Sequence, residues 1–233
     1  MAGCGSDGGS ATDDGGSDVR ERAVRFTTSD KVDLTGRLFG SGRVGVVLAH
    51  MYPADAESWY GPAKELAAAG YLALAFNFRG YADSEGEKSP SKAALDVRAA
   101  VAELQDRGAK DVALVGASMG GTASIVASED RIPLAVVAIS APARFMTLDA
   151  IAVSQNVQRP VLLMAAREND VDFRALQELE RALPNPDTKL YNGDAHGTNL
   201  LSDRPEAVDE IVSFLQRYAP TNGSATTQGP GDE

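Results

Sequence analysis

At 233 residues with 43% hydrophobic content, the chain is long enough to bury one sizeable core. Its formal net charge of -11, with no basic stripe, argues against nucleic-acid binding, which needs Lys and Arg to neutralise phosphates. No apolar run has the length to span a bilayer, and the single Cys4 excludes an internal disulfide or a thiolate metal cluster.

Residues 1–18 are almost all Gly, Ser, Asp, Thr and Ala, too poor in apolar surface to order themselves, and read as a flexible tether. Asp7, Asp13, Asp14 and Asp18 sit here, as Asp232 and Glu233 sit at the other end, so much of the net charge lies in the terminal stretches. The start, Met1-Ala2-Gly3-Cys4, resembles the end of a bacterial lipobox. That resemblance implies a lipidated Cys4, a membrane tether and a place in the cell envelope or outside it; without it the protein is expected to be cytoplasmic. Residues 221–233 are again rich in Gly, Thr, Ser and Pro and read as a disordered tail. The domain is therefore expected over 19–220.

Within that domain, strand-like runs fall at 24–27, 32–39, 44–50, 71–78, 112–115, 134–139, 161–166 and 189–191. The run V-G-V-V-L-A-H over 44–50 is nearly unbroken, as in a strand covered on both faces. Helices are expected at 57–69, ended by Gly70, at 91–107, ended by Gly108, and at 172–183 and 205–218. Strands alternating with helices predict an α/β fold: a mainly parallel eight-stranded sheet with helices on both faces. Sites in such sheets lie at the carboxyl ends of the strands.

The stretch 112–121, V-A-L-V-G-A-S-M-G-G, runs from a β-branched strand through a cramped turn into a helix. That is the context in which G-x-S-x-G means a nucleophile elbow. Gly116 and Gly120 lack a Cβ, so strand and helix can approach closely, and Ser118 is pushed out before a helix N-terminus. A serine nucleophile needs a base. Only two histidines exist: His50 ends a strand, where it reads as structural, while His196, in G-D-A-H-G-T, follows the last strand on a loop at the same sheet edge. His196 is the expected base. Its carboxylate partner is expected on the loop after 161–166, which offers Glu168, Asp170 and Asp172. Asp172 reads as the N-cap of the next helix; Asp170 is favoured, with Glu168 second. The oxyanion hole is expected from the backbone N–H groups of Met119 and, on the loop H-M-Y-P-A, of Tyr52.

With these pieces together, the chain resembles the α/β-hydrolase superfamily over about 19–219. The pieces are L-A-H-M-Y, F-N-F-R-G-Y-A-D-S-E-G, G-A-S-M-G-G, R-P-V-L-L-M-A-A-R-E-N-D and D-A-H-G-T. The resemblance implies the α/β-hydrolase fold with Ser118 as nucleophile, His196 as base and an acid matching Asp170. It looks most like the compact dienelactone-hydrolase-like esterases. Those often carry cysteine where this chain has Ser118, so a lactone substrate is not implied.

The short stretch between Ile139 and Val161 has room for one short helix and little or no cap. A small or open acyl pocket follows, with Tyr52, Trp59, Met119, Phe145 and Met146 as candidate lining and Arg144 as a candidate for a substrate carboxylate, each set against plain core or solvation. The expected activity is serine hydrolysis of small carboxylic esters or thioesters through an acyl-enzyme on Ser118. No cofactor or metal is expected. The alternatives are an acyl-peptide hydrolase or acyltransferase with the same triad and, from another class, a non-catalytic surface lipoprotein that uses the fold as a binding module.

Overall fold

The computed structural model describes residues 19–130 and 133–221. The tether expected over 1–18, including Cys4, and the tail beyond residue 221 lie outside the described residues.

The described chain runs β1 (Glu21–Thr27), β2 (Asp33–Phe39), β3 (Val44–Ala49), α1 (Tyr60–Ala68), β4 (Leu72–Phe76), α2 (Ala93–Asp106), β5 (Asp111–Ala117) and α3 (Met119–Ala127). It continues with β6 (Val136–Ile139), the two-residue strands β7 (Arg144–Phe145) and β8 (Leu148–Asp149), α4 (Ala150–Val153), β9 (Val161–Ala166) and α5 (Asp170–Ala182). It closes with β10 (Asp187–Tyr191), α6 (Asn199–Asp203) and α7 (Glu206–Tyr218). Eight strands form one sheet in the order β1-β2-β4-β3-β5-β6-β9-β10. Only β2 runs against its neighbours β1 and β4; the remaining pairings are parallel. The main gap between sequence and structure is α6, five residues with no amphipathic repeat long enough to read.

Both faces of the sheet are covered, which is why β3, β4, β6 and β9 are buried at every position. Alternate residues of β3 serve opposite cores. Val47 and Ala49 pack with Val97 and Leu104 of α2, Met119 and Ile125 of α3, and Leu176 of α5. Val46 and Leu48 pack with Leu66 of α1, Leu200 of α6, and Ile211 and Leu215 of α7. The sheet thus holds the ends of β3, β5, β9 and β10 along one edge, with β6 between β5 and β9, and each of these four ends leads to a candidate site residue. Between β6 and β9 there is only the β7–β8 hairpin, α4 and the 3-10 turn Ser154–Asn156, too little to roof the sheet edge.

Candidate active site

The turn from β5 into α3 is as tight as its glycines suggest. A Cβ on Gly116 would collide with Gly120 O, and one on Gly120 with the carbonyls of Ala49 and His50. Ser118 takes φ 49° and ψ -118° at this corner. A non-glycine residue there carries ~1–3 kcal/mol of strain and stays only because its surroundings over-determine it. Here its N–H donates to Ile139 O at 2.8 Å, and its C=O accepts from Thr122 N–H at 3.0 Å. Met119 opens α3, so its N–H has no acceptor within the helix.

His196 stands on the loop between β10 and α6, and Nδ1–H donates to Asp172, 2.8 Å to Oδ2 and 3.0 Å to Oδ1. With its proton on Nδ1, the ring presents an unprotonated Nε2. This loop is laced to the one that carries the acids. Glu168 N–H donates to Gly193 O at 3.0 Å, the Glu168 carboxylate accepts Gly193 N–H, and Asn169 Nδ2 donates to Asp194 O at 3.1 Å.

The structure corrects the choice of acid. Asp170 is not beside His196: its side chain is 82% exposed and lies 3.8 Å from Arg174, one turn along the same helix. Glu168, the second choice, is spent on the Gly193 backbone. Asp172, with a side chain 5% exposed, is the partner. The reason is the helix start. α5 begins two residues earlier than expected, because Asn169 is its N-cap and accepts Asp172 N–H at 3.1 Å. Asp172 therefore belongs to the first turn and shares the inward face with Leu176 and Leu179, at spacings of four and seven. An acid in register with that apolar stripe was the signal in the sequence.

The loop after β3 is wedged between the elbow and the His196 loop. Gly120 packs on Ala49 and His50, while Gly197 packs on Met51 Sδ and Thr198 Oγ1 lies 3.8 Å from that sulfur. His50 is fully buried. Its Nε2 accepts Phe78 N–H at 3.2 Å, so the proton is on Nδ1, which donates to Met51 O at 2.9 Å. Burial pushes its pKa down to about 4, and the ring stays neutral. Because C=O and N–H of a trans peptide point in opposite directions, the bond to Met51 O aims Tyr52 N–H away from His50. Among the described residues neither Tyr52 N–H nor Met119 N–H has a hydrogen-bond acceptor.

The candidate lining residues divide. Tyr52 and Met146 are exposed, and the Tyr52 ring lies 6.4 Å from that of Phe145. Met119 is buried in the core cluster against which Phe145 packs. Trp59 is not part of the site; it is core on the far face of the sheet. Arg144 is held by Asp149 at 3.1 Å and Glu178 at 2.5 Å and is not available as a charge for substrate. Among the described residues no group of His, Cys, Asp and Glu could hold a metal ion, and no helix is long and apolar enough to cross a membrane.

The model of the alpha/beta hydrolase family matches residues 46–230. The chain belongs to this family. The hydrolase fold is shared with solved structures of low identity. The Pyrococcus furiosus esterase Pf2001 is 23% identical over 86% of this chain and 93% of its own, with a TM-score of 0.74. The esterase RhEst1 from Rhodococcus sp. ECU1013 is 16% identical over 84% of this chain and 99% of its own, with a TM-score of 0.71. The esterase domain of a Rhodothermus marinus protein is 18% identical over 85% of this chain and 99% of its own, again with a TM-score of 0.71. No curated protein matches this hydrolase.

Proposed function

We propose that this alpha/beta hydrolase is a serine esterase that cleaves small carboxylic esters or thioesters through an acyl-enzyme on Ser118. The observation that carries the reading is the His196–Asp172 pair at 2.8 Å, on the same sheet edge as the strained Ser118. A buried carboxylate that fixes the tautomer of a half-exposed histidine has a clear use beside an elbow serine and little use elsewhere. Ser118 Oγ attacks the acyl carbon while His196 Nε2 takes its proton. Asp172 holds the ring and stabilises the imidazolium. The oxyanion is received by the N–H groups of Tyr52 and Met119, both unclaimed and the latter at a helix N-terminus. His196 then returns the proton to the leaving alkoxide or thiolate, and water releases the acid by the reverse route.

The test is intact-protein mass spectrometry after mixing with an activated acetate ester. An acetyl mass on the wild type that is absent from Ser118→Ala supports the proposal. A lasting adduct on both proteins, mapped to lysine, would make the apparent activity surface chemistry. Failure of the native protein to react with a fluorophosphonate, beside a control hydrolase that does, would favour a binding module.

A further inference from the structure

Three lysines of the described chain pair with carboxylates: Lys64 with Glu21 at 3.0 Å, Lys92 with Asp30 at 3.8 Å and Lys189 with Glu210 at 2.8 Å. Lys31, Lys88 and Lys110 make no such pair among the described residues, and of these Lys88 stands over aromatic rings. Its Nζ lies 4.2 Å from the centre of the Tyr81 ring and 5.9 Å from that of Tyr52, the residue whose N–H is the proposed oxyanion donor. Among the described residues no carboxylate lies within ion-pair distance of it. The position is built rather than incidental. Gly80, at φ 73°, packs its α-carbon directly against Lys88 N, so that any Cβ there would collide with it. Gly80 follows Arg79, which is buried and bonded to Asp96 and Asp30, and Gly80 N–H donates to Glu85 O at 2.9 Å. The loop is thus folded back on a buried ionic anchor. The next two residues, Ser89 and Pro90, line a small cavity together with Tyr81 and Met119.

We propose that Lys88, held over Tyr81 beside Tyr52, is an anion-binding subsite, so that the preferred substrate is an ester or thioester carrying an ionised carboxylate or phosphate near the scissile carbonyl. The proposal rests on the esterase reading. In a protein of net charge -11, an anionic substrate meets general repulsion. A cation at the mouth with no carboxylate of its own offsets that repulsion at one place, and the aromatic clasp keeps it aimed without neutralising it.

The experiment compares kcat/KM for charged and neutral twins: mono-4-nitrophenyl adipate against its methyl ester, 3-acetoxybenzoate against its methyl ester, and 3-acetoxyphenyl phosphate against its dimethyl ester. The first places a carboxylate on the acyl side, the second on the alcohol side, and the third replaces it by phosphate. The expected result is a preference for the charged twin of about five-fold in at least one pair, the size of a partly exposed ion pair. Lys88→Gln should bring that ratio to one or below, Lys88→Arg should restore it, and added salt should weaken it. Equal rates within every pair, or a preference that survives in Lys88→Gln, overturns the subsite and leaves the esterase reading standing. No turnover of any twin, charged or neutral, overturns both.

Discussion

Asn169 Oδ1 accepts the backbone N–H of Asp172 at 3.1 Å, and this cap turns Asp172 inward, where its carboxylate receives His196 Nδ1–H. Asp170, one position into the same helix, faces solvent and Arg174. Two acids separated by one residue are thus given opposite surroundings by the phase of α5.

The first prediction follows from that phase. Asp172→Asn should lower kcat for an activated acetate ester by about 10⁴-fold, because the amide cannot hold the same tautomer of His196. Asp170→Asn should leave kcat within about two-fold, since it breaks only an exposed i,i+4 contact. Steady-state rates on both variants check this; near wild-type kcat in Asp172→Asn, beside a large loss in Asp170→Asn, would transfer the role to Asp170.

Much of the architecture was legible because it rests on long apolar runs. The fully buried strands β3, β4, β6 and β9 need cover on both faces, and that alone implies helices above and below. The tight turn around Ser118 was legible because it needs Gly116 and Gly120, and the loop position of His196 because only two histidines exist. The carboxylate partner of His196 was not, because the start of a helix is uncertain by a couple of residues, and two residues shift a side chain by about 200° around the axis. Asp172 looks like a cap when α5 is started on it and like an inward carboxylate when Asn169 is the cap. Trp59, a candidate lining residue weighed against plain core, is core: it lies on the 3-10 turn Ala56–Trp59, which presents it to the opposite face of the sheet from Met119. The role proposed for Lys88 depends on a folded-back loop, which no periodicity reveals.

The elbow should tolerate no added methyl. Gly120→Ala would drive a Cβ into the backbone carbonyls of Ala49 and His50, neither of which can swing aside as a side chain could. The expected cost is about 3 kcal/mol or more, at the upper end for overpacking. Gly61→Ala is the matched control. Gly61 lies in α1, and nothing stands within 4 Å of its would-be Cβ. That change should be neutral or stabilising by up to ~1 kcal/mol, from helix propensity. Urea midpoints of the two variants test the contrast, and similar values would mean the elbow is looser than described.

His50 should make stability fall in acid. Its pKa is lowered from 6.5 to about 4 by burial, so between these values the unfolded chain binds a proton that the folded chain refuses. Stability therefore rises with pH through this window; the contribution is complete above 6.5 and is lost as pH falls to about 4. The span corresponds to roughly 3 kcal/mol. Protonation would also break the bond from Phe78 N–H to Nε2, while Nδ1–H keeps its bond to Met51 O. Chemical denaturation at pH 7, 5.5 and 4 should show wild type losing this much more than His50→Asn. Parallel curves for the two proteins would mean that His50 titrates normally.

The open sheet edge should favour short acyl chains. The β7–β8 hairpin and the four-residue α4 leave Tyr52 50% and Met146 76% exposed, so an acyl chain leaving the elbow would meet apolar side chains on one flank and water on the other. In a closed groove each added methylene would be buried for ~0.8 kcal/mol, about a four-fold gain in kcat/KM per carbon. Over an open rim that gain is largely missing, while a longer chain still loses freedom on being ordered. Activated esters from acetate to butyrate should therefore be the best substrates, and kcat/KM should be flat or falling from butyrate to octanoate. The measurement is kcat/KM across an even-numbered series of 4-nitrophenyl esters, kept below their aggregation concentrations. Met146→Ser is the companion variant. It removes the most exposed apolar contact at the rim, and it should lower kcat/KM for hexanoate and octanoate more than for acetate. A steady rise of about four-fold per methylene out to octanoate would show a covered channel and defeat the open-rim account.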